Sequence, residues 1–274
     1  MNRMPLARRA QIINCLVEGN SIRSTERMTD THRDTIMRLL VEVGTGCAAI
    51  MDAQMRDLNC QRIQVDEIWS YVQKKQRWVT PEDDRNRVGD MWTFVAVDPD
   101  TKLIPAYRVG KRTRVHAVAF MSDLSERLAN RVQLSSDALN TYVDAVEWAF
   151  GAGVDYGQAV KFYEAEPIGP GRYSPPRVVK QEKAVIAGSP KQHHISTSIV
   201  ERQNLSMRMS MRRFTRLTNA FSKKLENLQA AVALHFAHYN FVRTHRTLRM
   251  TPAMAAGVSE RLWSLEELVA RTSR

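Results

Sequence analysis

Asp66, Asp137 and Glu201 are carboxylates carried by three different kinds of segment, and their settings suit chemistry on a polyanion. Asp66 lies mid-run in Gln64-Val-Asp-Glu-Ile-Trp69, flanked by apolar residues that bury it at a cost unless a cation compensates. Asp137 follows the short strand-like run Val132 to Ser136, at the point where the chain leaves a sheet. In mixed α/β sheets, such strand ends are where function collects. Glu201 opens the helix-like run Ser198 to Arg208, and between Lys191 and Arg249 the chain has eleven Lys or Arg but only two acids, Glu201 and Glu226. Phosphodiester cleavage by two metal ions needs carboxylates converging from separate elements, because two cations about 3.5–4 Å apart must be held and neutralised. A carboxylate at the head of a cationic helix can hold metal while its neighbours grip a polyanion. Nucleic-acid chemistry is the first expectation.

Each acid also has a plainer reading. Asp137 suits the N-cap of a helix over 138–150, Asp66 can pair with Arg62, and Glu201 favours a helix dipole from the first turn. Glu67 rivals Asp66, since a one-residue slip of the strand reverses which face each occupies. His193 and His194 precede the basic helix, where positioning substrate and a surface or capping role are both open.

The charge distribution agrees with a polyanionic partner. Net charge is +11 over 274 residues with pI near 9.9. Residues 1–60 carry 8 bases against 7 acids, residues 61–190 carry 18 against 17, and residues 191–274 carry 14 against 5, so nearly all the excess sits in the last segment. Cys15, Cys47 and Cys60 are odd in number and widely spaced, which predicts reduced thiols rather than a zinc or redox pair. No apolar run approaches the ~18 residues of a membrane span, and the opening residues lack a secretory apolar stretch. A cytoplasmic location without membrane contact is expected.

The elements that must position these residues fall into blocks. Ile12, Ile13, Leu16 and Val17 predict a first helix ended by Gly19-Asn20, and Ser21 to Met28 predicts a second. Thr31 to Asp34 reads as a capping box opening a third, with Ile36, Leu39 and Leu40 as its apolar face. Two short helices joined by a tight polar turn make a helix-turn-helix candidate over 1–45, in which His32, Arg33, Thr35 and Arg38 would reach DNA. A connecting helix is expected over 46–60. From Gln61 the pattern becomes β-like: strands over 62–72, 91–97 and 102–109, a helix over 115–128, a strand over 132–136, a helix over 142–150 and a strand over 159–163. The order βββαβαβ predicts an α/β domain over 61–223 with a mixed sheet. Residues 164–190 contain five prolines and three glycines and read as an insertion or long loop. A helical C-terminal segment over 224–274 follows, with an amphipathic helix over 225–241 and Ser264 to Glu267 capping a last one.

At this point the chain resembles the DDE transposases of bacterial insertion sequences, of the insertion-sequence-one type, whose catalytic fold is ribonuclease-H-like. The resemblance rests on Val200-Glu-Arg-Gln-Asn204, Arg212-Arg-Phe-Thr-Arg-Leu-Thr-Asn219, Lys224-Leu-Glu-Asn227, His238-Tyr-Asn-Phe-Val-Arg-Thr-His245 and Arg246-Thr-Leu-Arg-Met-Thr-Pro-Ala253. It implies Asp66, Asp137 and Glu201 as catalytic and metal-binding residues, two Mg²⁺ ions with Mn²⁺ able to substitute, and a basic residue seven positions after the glutamate, here Arg208. Glu201, Asn204, Arg208 and Arg212 lie at spacings of three, four and four, so one helix face would carry the metal ligand followed by DNA-binding groups, with Arg213 beside them. The expected partners are double-stranded DNA, as element terminal inverted repeats and as target, and a second copy of the chain, since two ends join one target. The gap of 64 positions from Asp137 to Glu201 is longer than usual for the superfamily, and the segment 164–190 supplies the excess, leaving Glu164, Glu166 and Glu182 as competing third acids. The alternatives are a nuclease of the same fold that cuts without joining, and a DNA-binding regulator that has lost catalysis.

Overall fold

A computed structural model describes residues 4–164, 178–215 and 218–272. The chain begins with α1 (Leu6–Val17), α2 (Ile22–Thr29) and α3 (Arg33–Gln54). Ser21 caps α2 by accepting from the Ser24 amide at 3.0 Å. The expected capping box at the head of α3 does not form. His32 is the N-cap, its Nδ1 accepting from the Asp34 amide at 3.3 Å, while the Thr31 hydroxyl turns back to the Thr29 carbonyl at 3.0 Å. The third helix and the connector expected over 46–60 are largely one element. Ile36, Leu40, Val43, Cys47 and Met51 keep helical spacing without a break, so nothing interrupts α3 before Gln54.

The sheet is built from β1 (Arg62–Val72), β2 (Gly89–Val97), β3 (Tyr107–Gly110), β4 (Val132–Ser136), β5 (Val154–Tyr163) and β6 (Val178–Ala187) in the spatial order β3-β2-β1-β4-β5-β6. β1 pairs antiparallel with β2 and parallel with β4, and β5 is parallel to β4 but antiparallel to β6, which makes the sheet mixed as expected. β3 is shorter than the run 102–109. Lys102 sits at φ 65° and Pro105 interrupts the ladder, and the backbone of Ile104 is served instead by the Asn240 side chain at 3.1 and 2.9 Å. The expected long loop over 164–190 is corrected in its second half, where β6 stands. β6 is exposed along nearly all of its length, so no burial alternation marks it in the sequence. The first half, residues 165–177, lies outside the described residues.

Helices cover both faces of the sheet. α4 (Arg114–Ser125) and α5 (Asn140–Phe150) lie on one face, where Phe94 of β2 meets Phe120 at 5.7 Å and Tyr142 at 6.3 Å between ring centroids. α6 (Ser198–Ser210) and α7 (Leu225–Ala237) lie on the other, with Tyr107 of β3 against Phe236 at 5.0 Å. Beyond α7 the chain makes a wider turn, His238–Val242, then α8 (Pro252–Ala255) and α9 (Leu265–Thr272), which Ser264 caps through the Glu267 amide at 3.0 Å. α3 runs along α7 and α9 at a distance only glycine permits. A Cβ at Gly44 would sit 2.3 Å from the Ala230 carbonyl oxygen, and one at Gly46 would sit 2.6 Å from Thr272. The first and last segments of the chain thus form one helical layer whose core is continuous with that of the sheet. Among the described residues, no helix is long and apolar enough to cross a membrane.

Candidate active site

The register of β1 against β4 brings the two aspartates together. Arg62, Ile63 and Gln64 pair with Gln133, Leu134 and Ser135, and the same offset carried two residues further sets Asp66 beside Asp137. β4 ends at Ser136, so the edge of β1 is open at that point. Asp66 and Glu67 leave opposite faces of the strand. Asp66 accepts from Asn204 of α6 at 2.8 Å, whereas Glu67 accepts from the Tyr142 hydroxyl of α5 at 2.9 Å and pairs with Arg112. Because no strand stands between them beyond the end of β4, oxygens of Asp66, Glu67 and Asp137 lie within 4.8 Å of one another.

α6 is docked onto this end of the sheet by Gln64. Its Oε1 accepts from the Ile199 and Val200 amides at 2.9 and 3.2 Å, satisfying two of the amides that a helix start leaves unpaired. Thr197 is the N-cap residue but does not cap; its hydroxyl donates to Glu201 at 2.5 Å. Glu201 also pairs with Lys161 of β5. Glu201 therefore lines the same cleft as Asp66 and Asp137, about 620 Å³ in volume and walled as well by Arg112, Lys161 and residues 138–141, but its carboxylate lies outside the close set. Replacing Gln64 by Ala is expected to cost about 1–2 kcal/mol, read as a lower urea midpoint at unchanged m-value, because one buried and one part-buried amide lose their acceptor. An unchanged midpoint would show that Gln64 does not anchor α6.

Burial and mutual repulsion dominate the electrostatics of the cleft. Burial, then the Glu67 carboxylate, push Asp66 up to about 7, with Asp137 and Glu201 adding to the effect. Burial and Asp137 raise Glu67, against the pull of Arg112 and the Tyr142 hydroxyl. Burial raises Asp137 as well, opposed by the Leu139 amide and by Arg112 and Lys161. The described residues of the cleft gather negative charge that Arg112 and Lys161 only partly offset, and an all-oxygen donor set of this kind suits a hard divalent cation.

The plainer readings of the acids divide. Arg62 pairs with Asp100 and bonds His194 at 2.8 Å, not Asp66. Asp137 does accept from the Leu139 amide at 3.1 Å, a turn leading into α5, while the N-cap position itself falls to Leu139. The His193 and His194 rings meet at a tilt with 4.0 Å between centroids, and neither lines the cleft. Glu164 is exposed and Glu182 pairs with Lys180 on β6; Glu166 lies outside the described residues.

The residues expected to touch DNA are not all placed to do so. Asn204 is buried and spends its amide on Asp66, which makes it an orienting group. Arg208 lies partly buried in the last turn of α6. α6 ends at Ser210 and Met211 is extended at φ −125°, so the shared face runs only as far as Arg208; Arg212 is exposed on the short turn that follows. Arg213 turns inward, its Nε donating to Ser222 at 2.9 Å, and burial lowers it to about 10. His32, Arg33 and Arg38 are exposed on the first half of α3 and Thr35 is partly exposed, although His32 uses its Nδ1 for the cap. Sequence reasoning missed Gln64, Arg112, Tyr142 and Lys161. Lys161 carried a signal like that of Asp66, a charged residue inside a largely apolar strand run. Arg112 stood in the basic run Lys111-Arg-Thr-Arg114 after a predicted strand. No protein-family model and no curated protein sequence matches the chain.

Proposed function

We propose that the protein is a metal-dependent DNA transposase of the DDE type with a ribonuclease-H-like core. The single observation that carries this reading is the meeting of Asp66 and Asp137 at the open end of β1 and β4, with Glu201 brought to the same cleft on a helix from a distant, cationic part of the chain. The βββαβαβ order and the mixed sheet fit the fold the resemblance implies. The basic C-terminal segment fits a DNA partner.

Asp66 and Asp137, with Glu201 at the cleft wall, are the residues that would hold two Mg²⁺ ions, or Mn²⁺ in their place. Bound there, the ions supply Lewis acidity to the reacting phosphate and its attacking and leaving oxygens. The remaining work belongs to side chains of this chain. Asn204 keeps Asp66 turned into the cleft, Lys161 and Thr197 fix Glu201, and the exposed Arg212 meets the DNA backbone. The reaction exchanges phosphodiesters: water frees a 3′-hydroxyl at the element end, and that hydroxyl then attacks target DNA, one P–O bond forming as another breaks. Residues 8–43 read the terminal repeats, and a second copy of the chain holds the other end. The protein acts in the bacterial cytoplasm, on the nucleoid.

Incubation with a labelled duplex bearing a pre-cut 3′ end tests this, in Mg²⁺ and in Ca²⁺. Joined products longer than the substrate are expected in Mg²⁺ alone. Cleavage without joining would make the chain a nuclease, and binding in both ions with turnover in neither would make it a regulator.

A further inference from the structure

Arg112 takes no part in the metal chemistry described above, yet it is held more firmly than a surface arginine needs to be. It follows β3, and its guanidinium carbon stands 4.7 Å from the centre of the Trp92 ring. One edge pairs with Glu67, a side chain only 2% exposed whose other oxygen is taken by the Tyr142 hydroxyl. Both oxygens of Glu67 are thereby committed, so Glu67 serves Arg112 as an anchor although it lies among the close carboxylates. A guanidinium offers five N–H donors in a planar fork, and a carboxylate edge plus an aromatic face use only part of that capacity. The arginine side chain is still 39% exposed, and it lines the cleft with Asp66, Asp137 and residues 138–141.

A cation fixed on two sides and open on the third is preorganised for an oxyanion. Lys161, the other cation of the cleft, is engaged by Glu201 and only 20% exposed, which leaves Arg112 as the more accessible of the two. We propose that Arg112 is a phosphate-binding residue: anchored by Glu67 and Trp92, it turns its remaining N–H donors to a DNA phosphate in the cleft and sets the register of the strand against Asp66 and Asp137. This rests on the DNA reading above for the identity of the ligand, though not for its chemistry. An arginine present merely to neutralise Glu67 needs no open edge.

Removing Arg112 alone would strand a buried carboxylate, so Glu67→Gln is compared with the double variant Glu67→Gln, Arg112→Ala. Binding of a 20-base-pair duplex is measured in Ca²⁺ over a range of salt, alongside calorimetric titration with inorganic pyrophosphate. The double variant is expected to show a slope of log affinity against log salt smaller by about one than Glu67→Gln, and several-fold weaker pyrophosphate binding. Arg112→Lys in the wild-type background, which keeps the charge but not the fork, should keep the slope and lose several-fold in affinity. Equal slopes and equal pyrophosphate binding in Glu67→Gln and the double variant would overturn the assignment. So would a wild-type chain that binds neither probe. Should the wild type bind pyrophosphate through Arg112 but not the duplex, the phosphate site stands and the transposase reading falls.

Discussion

Asp66→Asn and Asp137→Asn are each expected to lower Mg²⁺-dependent cleavage of duplex DNA by roughly three orders of magnitude, with duplex binding nearly unchanged. A bound divalent cation contributes several kcal/mol to the charge that develops on phosphate, and each ~1.4 kcal/mol is a factor of ten in rate. Both aspartates sit where the β1 and β4 register converges, so an amide at either position removes an anionic ligand and leaves the backbone as it was. Glu201→Gln should cost less, roughly a hundredfold, because Lys161 and Thr197 already hold that carboxylate away from the close set. A second signature separates this from damage to the fold. In the absence of metal the two Asn variants should melt above the wild type, since each removes a charge that the cleft disfavours. Full activity in any of the three variants would exclude that residue from the site. A lowered melting point in both Asn variants would mean the carboxylates serve the fold instead.

The second large effect is a stability that depends on pH and metal together. Asp66 is raised to about 7 in the folded chain against about 4 when unfolded, so between those values the folded state binds a proton that the unfolded state has lost. Its contribution is at its most favourable below pH 4 and declines as pH rises through 7; Glu67 and Asp137 shift the same way. Two histidines oppose it, His235 buried and His238 half-buried. Burial lowers His235 to about 3 and His238 to about 4, and their effect favours the folded state increasingly as pH rises to about 6.5. The total stability curve therefore mixes both signs. The difference between Asp66→Asn and wild type isolates the carboxylate, and it should grow from near zero at pH 4 to a few kcal/mol at pH 8 in the variant's favour. Mg²⁺ should raise the wild-type melting temperature by several degrees at pH 8 and by less at pH 6, where a proton competes for the site, with little effect in Asp66→Asn. A difference that stays flat with pH, or a melting temperature indifferent to Mg²⁺, would contradict the reading of this cluster as a cation site.

Much of the fold was legible before any coordinates, for reasons of periodicity. β1 over 62–72 and β4 over 132–136 stand where apolar and β-branched residues put them, and α4, α5 and α7 deviate from expectation mainly at their ends. What failed was what periodicity does not encode. β6 is exposed on both faces and carries no alternation, so the composition of the surrounding prolines and glycines made it look like loop. α3 runs through an expected boundary because its apolar stripe continues past Leu40. α6 stops at Ser210, short of Arg212, and helical spacing alone cannot reveal where a helix ends.

The same division runs through the site. The sequence by itself determined which acids stand in strand, strand-end and helix settings, and that the surplus of positive charge follows the last of them; those are properties of neighbours along the chain. Only the tertiary structure decided which carboxylates meet. Asp66 and Asp137 come together through a strand register set 71 positions apart, Glu67 reaches them around an edge left open where β4 ends, and Glu201 is held back by a lysine on β5. The physical reason is that hydrogen-bond register and charge pairing act between segments distant in sequence, and no local pattern of residues records which segments those will be.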